Sequence, residues 1–434
     1  MSMLAIGTIG LIAFLLLLAL RTPIAIAMGS VGLLGSLYLN GWSASMFVTG
    51  NVPFDSIFPY SLSVIPLFVL MGSLALHTGL SRNLYDAGSA AFGHWPGGVS
   101  MGTVAACAGF GAICGSSLAT SATMGRIAIP EMRARGYSGA FSAATVAAGG
   151  TLGVLIPPSI ILVIYALLTE QSIGRLFVAA IIPGVIAASL YLVAISITVR
   201  LNPSLAPRSE RLTAAQRLQV AAQSWPVAVV FGVVLGGLFL GLFSPTEAAS
   251  IGVIGVGAIA LLRGRLTLSA LTEAARETAS LSGMIFLILI GAALFNFFVE
   301  TTQLTRVLVD VVNDANLAHW QIIVAIILLY LVLGCFMDSV SMIFLTMPFV
   351  FPVVQASGFD PIWFGILLLS VVEIGLITPP VGMNLFIVKL SVPDVSIRAI
   401  YAAIVPFLMA DVVRLTLVAS VPALSLFLVS QLFG

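Results

Sequence analysis

The chain has 434 residues, 60% of them hydrophobic and only 8% charged, with a mean hydropathy of +1.17. Soluble proteins carry about 25% charged residues, so a surface this poor in charge is not built for water, and a soluble enzyme is excluded. The net charge of +1 offers no electrostatic grounds for nucleic acid, and Cys107, Cys114 and Cys335 lie in apolar, Gly-rich sequence without metal-ligand spacing.

A helix crosses the hydrocarbon core with about 20 apolar residues. Ten spans are expected, roughly at 4–20, 23–39, 62–80, 140–168, 174–199, 225–243, 245–262, 280–299, 361–388 and 400–430. The first lacks a basic flank and a small-residue cleavage site, so it reads as a transmembrane helix, not a signal peptide. Two further apolar stretches, 96–131 and 319–353, are interrupted by GAICGSSLATSATMG and GCFMDSVSMIF. Each reads as two half-length helices meeting at a polar turn, a re-entrant hairpin, which is tolerated at membrane depth only where protein or a water-filled cavity satisfies the backbone. Residues 200–222 read as a cytoplasmic linker. Residues 264–279 fit either an interfacial amphipathic helix or a solvated loop helix.

With a periplasmic N-terminus, all but three of the seventeen basic residues fall on one face. Arg208 and Arg211 of the linker are among them. Only Arg175 and Arg306 fall on the other face, and Arg414 lies inside the last span, one turn from Asp411 as a partner. That asymmetry makes the basic face cytoplasmic and places both termini in the periplasm.

Landmarks recur about 222–224 residues apart. Pro23 returns as Pro245, the interruption at Ser116 as that at Ser339, and Pro157-Pro158 as Pro379-Pro380. Ser172-Ile173 returns as Ser396-Ile397, and Pro183 as Pro406. The chain therefore reads as two repeats, 1–199 and 223–434, joined by the linker. An odd number of crossings in the first inverts the second. Inverted repeats are a recurrent plan of secondary transporters, and they bring the two hairpin tips to the midplane from opposite sides.

Each hairpin is followed by a span carrying its own breakers: Gly149, Gly150, Gly153, Pro157 and Pro158 in one, Gly375, Pro379, Pro380 and Gly382 in the other. Proline removes a backbone donor and glycine permits unwinding. Freed carbonyls suit a bare cation, and half-helix N-termini suit an anion. Two related cation sites follow. One draws on Gly115, Ser116, Ser117 and Thr120 with unwound backbone near Thr151, Leu152, Gly153 and Pro157. The other draws on Asp338, Ser339 and Ser341 with backbone near Ile377, Thr378, Pro379 and Gly382, and on Asn384. Hydroxyls, carbonyls and one carboxylate suit a hard monovalent ion such as sodium, not a soft metal. The competing reading of the hydroxyls is close helix packing.

Acids inside spans are expensive and usually functional. Asp338 sits at a hairpin tip. Glu247 either serves a site or favours its helix N-terminus. Glu373 precedes the second break by one turn and reads as a brace for it. His77, His94 and His319 read as interfacial. The single lysine, Lys389, leaves no Walker A motif, and no nucleophile elbow, metal cluster or paired carboxylates point to catalysis. No cofactor is expected.

The segments RTPIAIAMG (21–29), GAICGSSLATSATMGRIAIPEM (111–132), GGTLGVLIPPSIILVIYA (149–166), SIGRLFVAAIIPG (172–184), FSPTEAASIGV (243–253), GCFMDSVSMIFLTMP (334–348) and GLITPPVGMNLF (375–386) span nearly the whole chain. As a set they resemble the large membrane subunit of tripartite ATP-independent periplasmic (TRAP) transporters. The tip GSSLAT departs from the Gly-Ser-Ala-then-Asp form of many relatives. The resemblance implies an all-α polytopic elevator-type transporter in the bacterial inner membrane. It implies a mobile domain of two hairpins and two broken helices, a scaffold completed by a small membrane subunit, and a periplasmic binding protein that delivers an organic acid of the C4-dicarboxylate or sugar-acid class. It further implies sodium drive through Ser116, Ser117, Gly153 and Pro157, and through Asp338, Ser339, Thr378 and Gly382. Ser117, Thr120, Ser341 and Asn384 are the expected substrate contacts, and Glu247 matches an acidic position of the family. The rival readings are a stand-alone sodium/carboxylate symporter, a channel and an intramembrane enzyme.

Overall fold

The computed structural model describes residues 2–207 and 213–433, so Arg208 and Arg211 lie outside the described residues. The described residues form helices and contain no strand. In chain order the helices are α1 (Met3–Ala19), α2 (Ile24–Ile57), α3 (Val64–His77), α4 (Leu80–Phe92), α5 (Gly98–Cys114), α6 (Ser117–Ala134), α7 (Gly139–Leu155), α8 (Ile160–Thr169), α9 (Ile173–Leu201) and α10 (Ala214–Ala222). They continue as α11 (Trp225–Phe239), α12 (Pro245–Leu262), α13 (Leu268–Thr301), α14 (Leu304–Asp314), α15 (His319–Gly334), α16 (Ser339–Ala356), α17 (Pro361–Gly375), α18 (Met383–Lys389), α19 (Ile397–Ser420) and α20 (Ala423–Phe433). Among the described residues, seven helices are long and apolar enough to cross a membrane, or eight when α7 and α8, bent by 41° at their junction, count as one span.

Several expected boundaries move. The second span runs on to Ile57, with a kink at Gly41, whose φ of 73° ends one helical segment and starts the next. Residues 264–279 give neither a separate surface helix nor a loop helix; most of them form the first turns of the 34-residue α13. The linker contains a helix, α10, which packs on α4. The expected 400–430 span breaks at Val421-Pro422 into α19 and α20, because proline cannot continue the helical ladder. The hairpin arms are not half-length. Those of 96–131 have 17 and 18 residues, and those of 319–353 have 16 and 18, or about 25 Å each at 1.5 Å per residue.

Two compact units are present. One comprises Met1–Ser63, Ala279–Ile326 and Val340–Pro361, and the other comprises Val64–Thr278, Ile327–Ser339 and Ile362–Gly434. In the first, α1 and α2 close against α13. The Phe14 and Phe295 rings lie 5.1 Å apart, and a Cβ on Gly32 would sit 2.6 Å from the Leu294 carbonyl oxygen. Only glycine permits that approach of α2 to α13.

In the second unit α7 is the centre. Helices α5 and α6 pack on it, and α9 and α19 flank it. Every residue of α7 from Phe141 to Leu155 is buried, as is every residue of α17 from Ile362 to Gly375. A helix buried on all sides sits in a protein core, not against lipid. The Trp363 indole N–H donates to the Val418 carbonyl at 2.8 Å and ties α17 to α19. At the edge of this unit, Arg133 grips Asp394 with two bonds of 2.9 and 2.8 Å. The guanidinium holds the Asp394 carboxyl below the usual carboxylate range. The Lys389 ammonium donates to the carbonyls of Val392, Pro393 and Val395. The loop after α18 is thereby fastened to the end of α6.

Candidate ion and substrate site

The turn between α5 and α6 is built by two residues. Gly115, at φ 63°, ends α5 in the left-handed region and donates its N–H to the Gly111 carbonyl at 2.6 Å. Ser116 is extended, and its hydroxyl accepts the Ala119 N–H at 3.3 Å, capping α6. The Thr120 hydroxyl donates to the Ser116 carbonyl at 2.7 Å. A Cβ on Gly115 would lie 3.3 Å from the Pro158 carbonyl oxygen, so this tip rests directly on the break between α7 and α8.

That break spans 156–159, after the glycines and not at them. Thr151, Leu152 and Gly153 are helical, which corrects the expected unwinding there. The glycines serve close packing instead. A Cβ on Gly153 would lie 2.7 Å from the Thr120 hydroxyl and 3.0 Å from Gly111 Cα, so α5, α6 and α7 meet at one point. The prolines make the interruption: Ile156 is extended, Pro157-Pro158 is cis, and Ser159 restarts the chain by capping α8 through the Leu162 N–H at 3.3 Å. The last turn of α7 keeps carbonyls beyond the final helical bond, which Ile156 N–H makes to Leu152 at 3.0 Å.

The second break is longer, 376–382, and Pro379-Pro380 is also cis. Thr378 donates its hydroxyl to the Ile374 carbonyl at 2.7 Å. Gly382, at φ 67°, turns the chain into α18 and donates its N–H to the Cys335 carbonyl at 3.2 Å, joining the break to the end of α15. Asn384 is fully buried, and its side-chain amide reaches the Ala147 carbonyl of α7 at 3.4 Å while its Oδ1 has no partner. The two broken helices are therefore in contact.

Glu373 binds the arrangement together. It is fully buried and accepts the Ser339 hydroxyl at 3.1 Å. The Ser117 hydroxyl lies against the same carboxyl, whose Oε2 has no well-aligned partner. Ser117 and Ser339 are the first residues of α6 and α16, so the carboxyl lies beside the residues at which both helices start. The sequence reading of Glu373 as a brace for the break understates it, because its partners are the tips.

Behind this cluster runs a buried polar chain. Thr151 meets the Tyr191 hydroxyl at 3.0 Å, Tyr191 donates to Asp411 at 2.8 Å, Asp411 pairs with Arg414 at 3.0 Å, and Arg414 reaches the Ser370 carbonyl at 3.3 Å. Within it, the Asp411–Arg414 pairing matches the sequence reading. The links to Thr151 and Ser370 escaped it, since nothing in local spacing joins α7, α9, α17 and α19.

Of the expected site residues, Ser116, Ser117, Thr120, Gly153 and Pro157 gather around the first tip. Ser339, Thr378, Gly382 and Asn384 gather around the second break. Asp338 is half-buried beside Ser339. Ser341 belongs to the other compact unit. Glu247 is exposed and forms a capping box: its carboxylate accepts the Ser244 N–H at 2.8 Å, and the Ser244 hydroxyl accepts the Glu247 N–H at 3.3 Å. His77 pairs with Glu277 at 3.2 Å. The three cysteines are free and buried.

A family model described as "Tripartite ATP-independent periplasmic transporter, DctM component" matches residues 11–424. The C4-dicarboxylate TRAP transporter large permease protein DctM of Pseudomonas aeruginosa is 36% identical over 374 residues, 86% of this chain and 87% of that protein. The sialic acid TRAP transporter large permease protein SiaM of Vibrio cholerae is 31% identical over 381 residues, again 86% and 87%. Among solved structures, the YdaH transporter of Alcanivorax borkumensis aligns with a TM-score of 0.59 at 16% identity and covers 90% of each chain, a likeness of fold. With its helices, buried breaks and paired tips in view, the chain belongs to the DctM component family of TRAP transporters.

Proposed function

We propose that this chain moves an organic acid across the bacterial inner membrane, driven by the sodium gradient, after delivery by a periplasmic binding protein and together with a small membrane subunit. The observation that carries this reading is the meeting of Ser117 and Ser339, the first residues of α6 and α16, on the buried Glu373 carboxyl. Irregular backbone and a buried acid are costly in a membrane and persist where they bind something.

One cation is held by Ser116, Ser117, Gly153 and Pro157, and a second by Asp338, Ser339, Thr378 and Gly382, through hydroxyls, last-turn carbonyls and one carboxylate. Thr120 and Asn384, with Ser117, meet the substrate. The relatives named for C4-dicarboxylate and sialic acid both act on carboxylates, which suit the hydroxyls and helix N-termini at the tips. Cations neutralise the carbonyl-rich tips, and the fixed tips then hold the acid. A domain loaded with one species moves poorly past its scaffold, and that difference is the coupling. Ten crossings in two inverted repeats, 1–199 and 223–434, with both termini periplasmic, complete the reading as an elevator. Of the helices α1, α11 and α17, at 17, 15 and 15 residues, the first then stands at the short end of the spanning range of about 17–25 and the other two fall below it.

The test is uptake of labelled dicarboxylates and sialic acid into liposomes holding this chain, its small subunit and its binding protein, with and without an inward sodium gradient. Uptake that needs both sodium and the binding protein supports the reading. Uptake without the binding protein points to a stand-alone symporter, and uptake that follows a proton gradient removes the sodium assignment.

A further inference from the structure

We propose that Glu373 is a positioning residue that couples the two tips, so that order at one is transmitted to the other. The inference rests on the functional reading only for what sodium does; the coupling itself is a property of the fold. Glu373 sits on α17, which belongs to neither tip. Its carboxyl accepts the Ser339 hydroxyl at 3.1 Å and lies against the Ser117 hydroxyl. It is fully buried, so water offers it no substitute partner. Releasing one serine leaves the carboxyl less firmly placed, and its hold on the other serine loosens with it. Asn384 strengthens the geometry by joining the second break to α7 through the Ala147 carbonyl.

Two native thiols report on the tips. Cys114 is the last residue of α5, beside Gly115, and Cys335 follows α15, its thiol donating to the Leu331 carbonyl at 3.2 Å. Both are buried, so alkylation requires local opening. Cys107, wholly buried within α5, reports general loosening. The experiment follows N-ethylmaleimide modification of all three cysteines, resolved by peptide mass spectrometry, on the full chain in lipid nanodiscs.

Ser117→Ala is expected to speed modification at Cys114 and also at Cys335, by on the order of tenfold, the cost of leaving a buried acceptor without its hydroxyl neighbour. In a Glu373→Ala background the same Ser117→Ala change is expected to leave Cys335 unaltered. Glu373→Gln retains an acceptor oxygen and is expected to stay within about threefold of the parent, with Cys107 unchanged throughout. An effect of Ser117→Ala confined to Cys114 overturns the proposal, as does a Cys335 effect that persists without Glu373. Acceleration of Cys107 in step with the tips also overturns it, since that is loosening and not coupling. Replacing choline by sodium is expected to slow both tip thiols. If sodium changes neither while the serine effect still crosses to Cys335, the sodium assignment fails and the coupling stands.

Discussion

Arg414 heads the largest fully buried side chains among the described residues, and replacing it with methionine is the most informative perturbation of the polar chain behind the site. Its guanidinium stands 3.0 Å from Asp411, and the two side chains are 0% and 1% exposed. At that distance and an effective dielectric near 20 the attraction is about 5 kcal/mol. Desolvating each ion costs several kcal/mol, so the intact pair is close to break-even. The Nε and Nη1 atoms of Arg414 lack partners, which keeps the balance from becoming strongly favourable. Removing one member is different. Arg414→Met strands a buried carboxylate with only the Tyr191 hydroxyl, and about 3–5 kcal/mol of stability is lost. Asp411→Asn with Arg414→Met removes both charges and is expected to return to within about 1–2 kcal/mol of the parent. Denaturant unfolding of the purified chain in detergent, followed by tryptophan fluorescence, measures all three. The reasoning fails if Arg414→Met lies within about 1 kcal/mol of the parent, or if the double variant is no better than the single one.

Four further outcomes are expected. Gly153→Ala places a methyl 2.7 Å from the Thr120 hydroxyl and 3.0 Å from Gly111 Cα, costing about 1–3 kcal/mol by overpacking, and sodium-driven uptake falls with the thermal midpoint. On the proposed sodium assignment, Asp338→Asn is expected to raise the sodium concentration for half-maximal uptake by about tenfold or more, the effect of losing one charged ligand. Acidification releases the tie between α6 and the loop after α18. The Arg133 guanidinium holds Asp394 below the ordinary carboxylate range, so the tie is intact above that range, near pH 4, and is lost as pH falls through the lowered value. Acid titration of the thermal midpoint with Asp394→Asn as control reads this, and the variant lacks that acid-dependent component. Glu247→Gln keeps an acceptor for the Ser244 N–H and retains stability, whereas Glu247→Ala loses about 1 kcal/mol of capping; equal uptake by both variants confines Glu247 to the cap.

The large features were legible because membranes impose simple rules. Length and hydropathy marked most spans, and Gly115-Ser116 and the residues before Ser339 marked the two turns at the right places. The prolines marked both breaks, yet the glycines misled. Gly149, Gly150 and Gly153 suggest unwinding when read alone, but a glycine in an apolar helix equally marks where another backbone comes close. Which applies depends on α5 and α6, and the Gly111–Gly153 approach is invisible in local sequence. Boundaries were lost for similar reasons: residues 264–279 are polar enough to stand alone, but with no proline or glycine between Leu268 and Ser282 to stop the helix most of them run on into α13.

Glu373 shows where such reading stops and why. An acid in VVEIGLITPP is expensive in a membrane core, so its importance is readable from one residue. Its meaning is set by partners from other parts of the chain, Ser339 at 34 positions' separation and Ser117 in the opposite half. Each serine by itself is explained by helix packing or by capping, as Ser116 in fact caps α6. Only their placement on one carboxyl, at the starts of two helices, separates a shared site from two ordinary helix ends. A carboxyl group kept wholly buried for packing alone would be better replaced by an apolar side chain of its size. Its position between two hydroxyls that lead into the two halves gives it a role no apolar residue could fill.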